Sequence, residues 1–206
     1  MPRTEPFDAH SDRYDAWFEK NSAAYDDELE AIRQVLPSPL GLALEVGVGS
    51  GKFAVPLGIR IGLEPSTIMA RKADSLGIHV ARGTAEDLPF PDNEFDVVLM
   101  VTTICFVDDI RSSFKEAHRV LRPGGGIIVG FVDKESALGK RYEQNRDASV
   151  FYKDATFFSA PEVCAHLRTT GFTNLEFRQT LLEPATSPRV RNGFGQGAFV
   201  AIRGMK

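Results

Sequence analysis

The fold is decided by the stretch LEVGVGSGKF, residues 44–53, in which three glycines alternate with other residues directly after an apolar run. A short apolar run of this kind is typical of a buried strand. Glycines that follow such a strand allow the backbone to turn sharply and to approach a ligand closely. The stretch therefore predicts a strand, then a ligand-binding glycine loop, and then a helix.

Three ligand classes compete for this loop. A Walker A loop needs a glycine five positions before its Gly-Lys pair and Ser or Thr after the lysine, but Val46 and Phe53 stand there. The dinucleotide fingerprint needs its third glycine three residues after the second, and Lys52 occupies that position. The third pattern is an acid, one further residue and then Gly-x-Gly-x-Gly, and it matches in full over residues 45–51.

A second signal is the acidic residue Glu64, which ends the next apolar run 17 residues after Gly47. A carboxylate there can accept hydrogen bonds from both hydroxyls of a ribose, and nucleoside-binding folds place it at a spacing of about 20 residues. The alternative role is capping of the helix that follows Ser66. We expect replacement of Glu64 by alanine to weaken nucleoside binding and to leave the stability of the free protein nearly unchanged.

Apolar runs of strand length alternate with helical patterns, which indicates a parallel sheet covered by helices. The predicted strands are residues 42–46, 58–63, 78–81, 95–101, 127–132, 172–180 and 197–202. One helix is predicted from Asp109, with the buried stripe Ile110, Phe114, Ala117 and Leu121, and residues 123–126 stop it. A capping box of Ser159 and Glu162 predicts another helix start. Residues 183–196 are predicted to form a loop.

Composition limits the classes of protein that remain. The chain has 206 residues, of which 43% are hydrophobic and 25% charged, as in a single globular domain. Its net charge of −4 lacks the basic excess of a nucleic-acid binder. No apolar stretch approaches the roughly 20 residues of a membrane span, and the first residues do not resemble a signal peptide. With only two cysteines, Cys105 and Cys164, we expect a cytoplasmic location.

Four sequence blocks, in the correct order and at the correct spacing, resemble class I S-adenosylmethionine-dependent methyltransferases, in particular the type 11 domain of small-molecule enzymes. These blocks are residues 44–51, 62–66, 83–96 and 119–125. The resemblance covers about residues 42–132. It implies an α/β fold with a Rossmann-like doubly wound sheet, mostly parallel with an antiparallel last strand, helices on both faces and an N-terminal helical lid. It also implies S-adenosyl-L-methionine as the cofactor and a small-molecule methyl acceptor.

The resemblance further implies which residues contact the cofactor. Those at the methionine part would be Glu45, Gly47, Gly49 and Gly51. Those at the ribose and adenine would be Glu64, Pro65, Ala85 and Glu86. Those beside the sulfonium would be Met100, Val101 and Thr102. Thr84 stands where the family commonly has aspartate, and the path from Gly51 to the second strand leaves space for only one or two helical turns.

Three parts of one domain are expected: a helical lid over residues 1–40, a cofactor-binding core over 41–133, and a substrate-side insertion with closing strands over 134–206. Tyr14 and Trp17 lie three residues apart, so they share one face of a helix. We expect this face to close over the cofactor and to be mobile until the ligand arrives.

Methyl transfer needs orientation and a dry site more than a dedicated base, so no catalytic residue is assigned. Tyr142 and Tyr152 are the candidates on the acceptor side. No metal site is expected, although the pair Asp108 and Asp109 offers a minor alternative to helix capping. Two other functions stay open: a cofactor-binding protein without transferase activity, and a nicotinamide-dependent oxidoreductase. The sequence does not indicate the oligomeric state.

Overall fold

The computed structural model describes residues 4–182 and 188–206, and one eight-stranded sheet organises these residues. Its strands are β1 (Ala43–Val46), β2 (Ile61–Leu63), β3 (His79–Ala81), β4 (Phe95–Val101), β5 (Leu121–Val132), β6 (Thr173–Leu182), β7 (Arg191–Asn192) and β8 (Gly197–Met205). Their order across the sheet is β3-β2-β1-β4-β5-β8-β6-β7. The first five strands are parallel, and β8 lies antiparallel between β5 and β6. This confirms the predicted fold class.

The helices that begin after Asp109 and Ser159 occur where the sequence predicted them, whereas those at residues 5–9 and 137–144 were not predicted. The helices are α1 (Glu5–Ala9), α2 (Ser11–Lys20), α3 (Ser22–Arg33), α4 (Ala54–Leu57), α5 (Thr67–Ser75), α6 (Ile110–Val120), α7 (Ala137–Gln144) and α8 (Ala160–Thr169), with one 3-10 turn at Arg146–Ala148. The helix after the glycine loop, α4, is a single turn, and the capping box of Ser159 and Glu162 starts α8. Within the described residues, no helix has the length and apolarity needed to cross a membrane.

Helices cover both faces of the sheet because the side chains of β4 alternate between two cores. Val98 and Met100 pack with α6 and α8, whereas Val97, Leu99 and Val101 pack with the helices α2 to α5. This is the two-residue period of a strand that is buried on both faces. The carboxyl ends of β1 and β4 are thereby fixed beside each other.

Several predicted boundaries are wrong. Strand β2 begins at Ile61 and not at residue 58, because Gly58 is the left-handed C-cap of α4, and β8 extends beyond residue 202 to Met205. Strand β5 begins at Leu121, whereas the prediction assigned Leu121 to the preceding helix and began the strand at residue 127. Leu121 has extended backbone angles and pairs with Phe95 of β4. Because a buried Leu121 is equally compatible with a helical stripe and with a strand, the periodicity of the sequence did not distinguish helix from strand at this residue. The segment predicted as a loop contains β7 at Arg191–Asn192. The rest of that prediction includes residues 183–187, which lie outside the described residues.

Candidate cofactor and acceptor site

A cavity of about 790 Å³, counted out to its open mouth, lies at the carboxyl ends of β1, β2 and β4. The strand order reverses between β1 and β4, which is the position where open α/β sheets bind their ligands. The predicted cofactor residues on its wall are Tyr14, Gly47, Gly49, Glu64, Pro65, Ala85, Glu86, Val101 and Thr102.

The glycine loop brings its backbone close to this cavity. Gly47 has a φ of 73°, and its N–H donates to the Leu63 carbonyl at 2.8 Å. A Cβ atom at this position would lie 2.6 Å from the Thr103 side chain. No larger residue fits there without displacing Thr103, so the bare backbone of Gly47 lines the cavity beside the end of β4.

Glu64 lies at the end of β2 with both carboxyl oxygens held by backbone donors. The Gly49 N–H donates to Oε2 at 2.9 Å and the Ser66 N–H donates to Oε1 at 2.8 Å. Burial raises the pKa of Glu64, and these two hydrogen bonds oppose the rise. Each oxygen keeps a further lone pair for a ligand hydroxyl. These contacts lead us to expect that Glu64 also supports the free protein, because its loss leaves two N–H groups without this acceptor. Ser66 itself is the N-cap of α5.

Four other predicted cofactor residues do not line this cavity. Trp17 is 37% exposed and packs edge-on against Phe18. Met100 is buried in the core on the α6 side of β4. A Cβ on Gly51 would lie 2.8 Å from Ile78 Cδ1, so this glycine permits packing inside the protein. Glu45 is 1% exposed and lies within β1.

The Glu45 carboxyl group is nevertheless unusual. It accepts a hydrogen bond from the Ala54 backbone, yet its Oε2 atom is sealed from solvent without a hydrogen-bond partner. Burial raises its pKa well above the ordinary value, and the nearby Glu64 raises it further. Burial therefore favours the uncharged form of this carboxyl group.

The N-terminal helices form one side of the cavity. Ser66 Oγ donates to Asp8 at 2.5 Å, and Ser50 Oγ donates to Asp15 at 2.6 Å. Lys72 donates to Asp15 at 2.8 Å, which joins α2 to α5. The resemblance predicted that this segment covers the cofactor, and its acidic residues contact the loops after β1 and β2.

Several residues on the cavity wall were missed by the sequence analysis. They include Thr4, Phe7, Met69, Thr103, Phe106 and Val107. The ring of Phe7 packs on that of Phe106 with centroids 5.1 Å apart. The sequence analysis predicted a strand over residues 95–101 and assigned no ligand contact to the apolar residues that follow it, up to Val107. Phe7 carries no motif at all.

Tyr142 and Tyr152 come together at a second, narrow cavity, which is lined mainly by aromatic and aliphatic residues. Their rings stack with centroids 5.1 Å apart, and Tyr152 also stacks on Phe106 of the first cavity. Cys105 and Phe157 complete much of the wall. Thr102 lines both cavities.

Thr102 is the point where the two cavities meet. Its φ of 50° is in the left-handed region, which a β-branched residue rarely adopts. Its N–H donates to the Gly130 carbonyl at 2.7 Å, which holds the strained backbone at the end of β4. Such strain is concentrated at functional sites.

The acidic pair before α6 serves the local structure. Asp109 accepts a hydrogen bond from the Arg111 N–H and is the N-cap of α6. The Asp108 N–H donates to Glu86 at 2.7 Å. Over residues 4–182 and 188–206, no group of three or more His, Cys, Asp and Glu side chains is arranged to hold a metal ion.

Comparison with known proteins identifies the class to which this fold and site belong. A family profile described as "Methyltransferase domain" matches residues 44–129. The chain is similar to a crystal structure from Thermotoga maritima with a TM-score of 0.93 and 47% identity, covering 98% of this chain and 99% of that one. That protein is described as an S-adenosylmethionine-dependent methyltransferase and possible histamine N-methyltransferase.

Two curated relatives extend over nearly the same length of this chain. An uncharacterised protein of Methanocaldococcus jannaschii is 43% identical over 203 residues, which are 97% of this chain and 98% of that protein. An uncharacterised protein of Mycobacterium tuberculosis is 34% identical over 211 residues, covering 98% of this chain and 74% of its own length. The chain belongs to the class I S-adenosylmethionine-dependent methyltransferase family, and S-adenosyl-L-methionine is its cofactor.

The residues present fit this cofactor. The bare backbone at Gly47 leaves space that a side chain would fill. Glu64 offers carboxylate lone pairs to the ribose hydroxyls.

Proposed function

We propose that this protein transfers the methyl group of S-adenosylmethionine to a small-molecule acceptor that binds in the aromatic cavity. The observation that carries the proposal is that the cofactor cavity and the aromatic cavity meet at the strained residue Thr102. The family requires a methyl acceptor, and this second cavity lies beside the end of β4.

Bound S-adenosylmethionine supplies a methyl group that is activated by a sulfonium. Glu64 binds the ribose hydroxyls, with Pro65 beside it, and the backbone of Gly47 and Gly49 binds the methionine part. The backbone of Ala85 and Glu86 binds the adenine. The ends of β4, Val101 and Thr102, separate the two cavities and orient the acceptor toward the methyl group.

We also propose roles for the residues that surround the two cavities. Phe7, Tyr14 and Phe106 exclude water from the cofactor, and residues 1–40 act as the lid. Glu45 supports the glycine loop through its hydrogen bond with the Ala54 backbone. Gly51, Met100 and Trp17 support the surrounding structure. Tyr142 and Tyr152 line the acceptor. We also propose a cytoplasmic location, since neither cysteine forms a disulfide.

Two measurements test this function. Calorimetric titration should show binding of S-adenosylhomocysteine and no binding of NAD; the reverse result would favour the oxidoreductase and overturn the proposal. Incubation with radiolabelled cofactor and a panel of small amines, phenols and thiols, including histamine, should then show transfer. Binding of S-adenosylhomocysteine without transfer to any member of a broad panel would favour a binding protein without transferase activity.

A further inference from the structure

Two aromatic residues on the wall of the cofactor cavity are each followed directly by an aspartate. The pairs are Phe7-Asp8 on α1 and Tyr14-Asp15 on α2, and they lie seven residues apart in the sequence. Both aromatic rings line the cofactor cavity. The roles proposed above do not include the two aspartates, although each of them joins its helix to a loop that borders the cavity.

Asp8 joins α1 to the loop after β2. Ser66 Oγ donates to Asp8 Oδ1 at 2.5 Å, and the Ile68 N–H donates to the same oxygen at 3.2 Å. The hydrogen bond from Ser66 lowers the pKa of Asp8, so its carboxylate is charged at neutral pH. Every residue of α1 is at least partly exposed, so apolar packing gives this helix little support. The hydrogen bonds of Asp8 therefore help to hold Phe7 against Phe106 on the cavity wall.

Asp15 makes the equivalent contact with the glycine loop after β1. Ser50 Oγ donates to Asp15 Oδ1 at 2.6 Å, and Lys72 of α5 donates to Oδ2 at 2.8 Å. Ser50 is 3% exposed, so its hydrogen bond is largely shielded from water. The preceding residue, Tyr14, places its hydroxyl oxygen 3.3 Å from the position that a Cβ on Gly49 would occupy. Asp15 thus helps to hold the Tyr14 ring over the glycine loop.

The two serines belong to the loops that Glu64 also holds. The Ser66 N–H donates to Glu64 Oε1 at 2.8 Å, and the N–H of Gly49, which precedes Ser50, donates to Oε2 at 2.9 Å. A ligand hydroxyl bound by Glu64 therefore contacts the residue that fixes the same two loops to which the aspartates attach α1 and α2. Contiguous hydrogen bonds lead from the ribose position to both helices.

We propose that Asp8 and Asp15 are positioning residues that hold the lid closed over bound S-adenosylmethionine, and that they thereby set the rate at which the cofactor dissociates. They act through the two serine hydroxyls and keep both aromatic rings on the cavity wall. The inference rests on the lid role proposed above and deepens it, and it does not depend on the acceptor. A lid must open before a covered ligand can leave, so weakening either contact increases the open fraction.

The test measures the dissociation of radiolabelled S-adenosylhomocysteine into an excess of the unlabelled compound. Asp8→Ala and Asp15→Ala should each increase the dissociation rate roughly 10-fold, because each change removes a hydrogen bond to a charged group. The double variant should dissociate roughly 100-fold faster, since the two contacts involve different loops and their effects should add. The association rate should not decrease in any of these variants. Wild-type dissociation rates in both single variants would overturn the proposal.

Asp12→Ala is the matched control. Asp12 also lies on α2 and is bound by the same Lys72 at 2.7 Å, but its side chain is 98% exposed. Its removal should leave the dissociation rate within about twofold of the wild-type rate. Equal acceleration in Asp12→Ala and Asp15→Ala would attribute the effect to loss of charge beside Lys72, and the proposal would then fail.

A double-mutant cycle tests whether Asp15 acts through Ser50. Ser50→Ala alone should accelerate dissociation about as much as Asp15→Ala does. Added to Asp15→Ala, it should have little further effect, because the hydrogen bond between the two residues is already lost. Fully additive effects would show that the two residues act independently, which contradicts the proposal.

Hydrogen exchange distinguishes a loosened lid from a loosened fold. In ligand-free Asp8→Ala and Asp15→Ala, amide exchange should become faster in α1 and α2, whereas the amides of α6 in the core should keep the wild-type rate. Equal acceleration in α6 would mean that the aspartates stabilise the whole domain, and would count against a positioning role. Failure of the wild type to bind S-adenosylhomocysteine would overturn the proposed function and this inference with it, whereas normal binding with unchanged rates in the variants counts against the aspartates alone.

Discussion

The carboxylate of Glu64 has a structural role in addition to any contact with a ligand, because it accepts hydrogen bonds from the Gly49 and Ser66 backbone. Glu64→Ala should lower the free energy of unfolding of the ligand-free protein by about 2–4 kcal/mol, since two buried N–H groups lose their acceptor. Thermal unfolding should show a decrease of several degrees. An unchanged melting temperature would mean that water replaces the carboxylate without cost.

The glycine pattern predicted the loop but not the direction that each glycine faces. Gly47 lines the cavity, whereas Gly51 packs toward Ile78. Both positions have positive φ and both exclude a side chain, so the same residue type serves ligand approach at one position and core packing at the other. A single sequence carries no information that separates these two reasons for glycine.

Helix α2 carries two adjacent aromatic residues that differ in burial, although the local sequence pattern does not distinguish them. Phe18 is buried among Tyr14, Tyr25 and Phe53, whereas Trp17 is largely exposed. Phe18→Ala should therefore cost about 3–5 kcal/mol of stability, as for a buried phenylalanine. Trp17→Ala should change stability by about 0.5 kcal/mol and leave the affinity for S-adenosylhomocysteine unchanged. Thermal unfolding and calorimetry measure the two effects, and a tenfold loss of affinity in Trp17→Ala would restore Trp17 to the cofactor site.

Elements with strong periodicity were predictable, whereas the order of the strands across the sheet was not predicted. The run of β4, the stripe of α6 up to Ala117 and the capping box of α8 each depend on local pattern. The start of β5 and the short strand β7 depend on pairing with β4 and β6, which local pattern does not contain. The burial of Glu28 was unpredictable for the same reason: on α3 it resembles any acid on a solvated face, and only the packing of α3 buries it.

At the scale of the whole molecule, buried carboxyl groups set the pH dependence of stability. The folded-state pKa of Glu28 is about 8, above the ordinary 4.5, so the native state binds more protons between these values. Stability should therefore fall as pH rises from about 5 to 8, and Glu28→Gln should reduce this slope by about 1.4 kcal/mol per pH unit. Glu30→Gln is the matched control. Denaturant unfolding across this range measures the slopes, and parallel curves for wild type and Glu28→Gln would contradict the assignment.

The two cysteines differ in position, so chemical modification of their thiols can report whether the aromatic cavity is occupied. Cys105 lies on the wall of the aromatic cavity, with its thiol directed to the Thr102 carbonyl at 3.3 Å. Cys164 is buried in α8, where burial raises its pKa and suppresses its nucleophilicity. A thiol-directed alkylating reagent thus discriminates between them by position, and protection of Cys105 by a bound molecule gives a footprint of occupancy. The same thiol also offers a point of attachment for covalent inhibitors that fill the cavity.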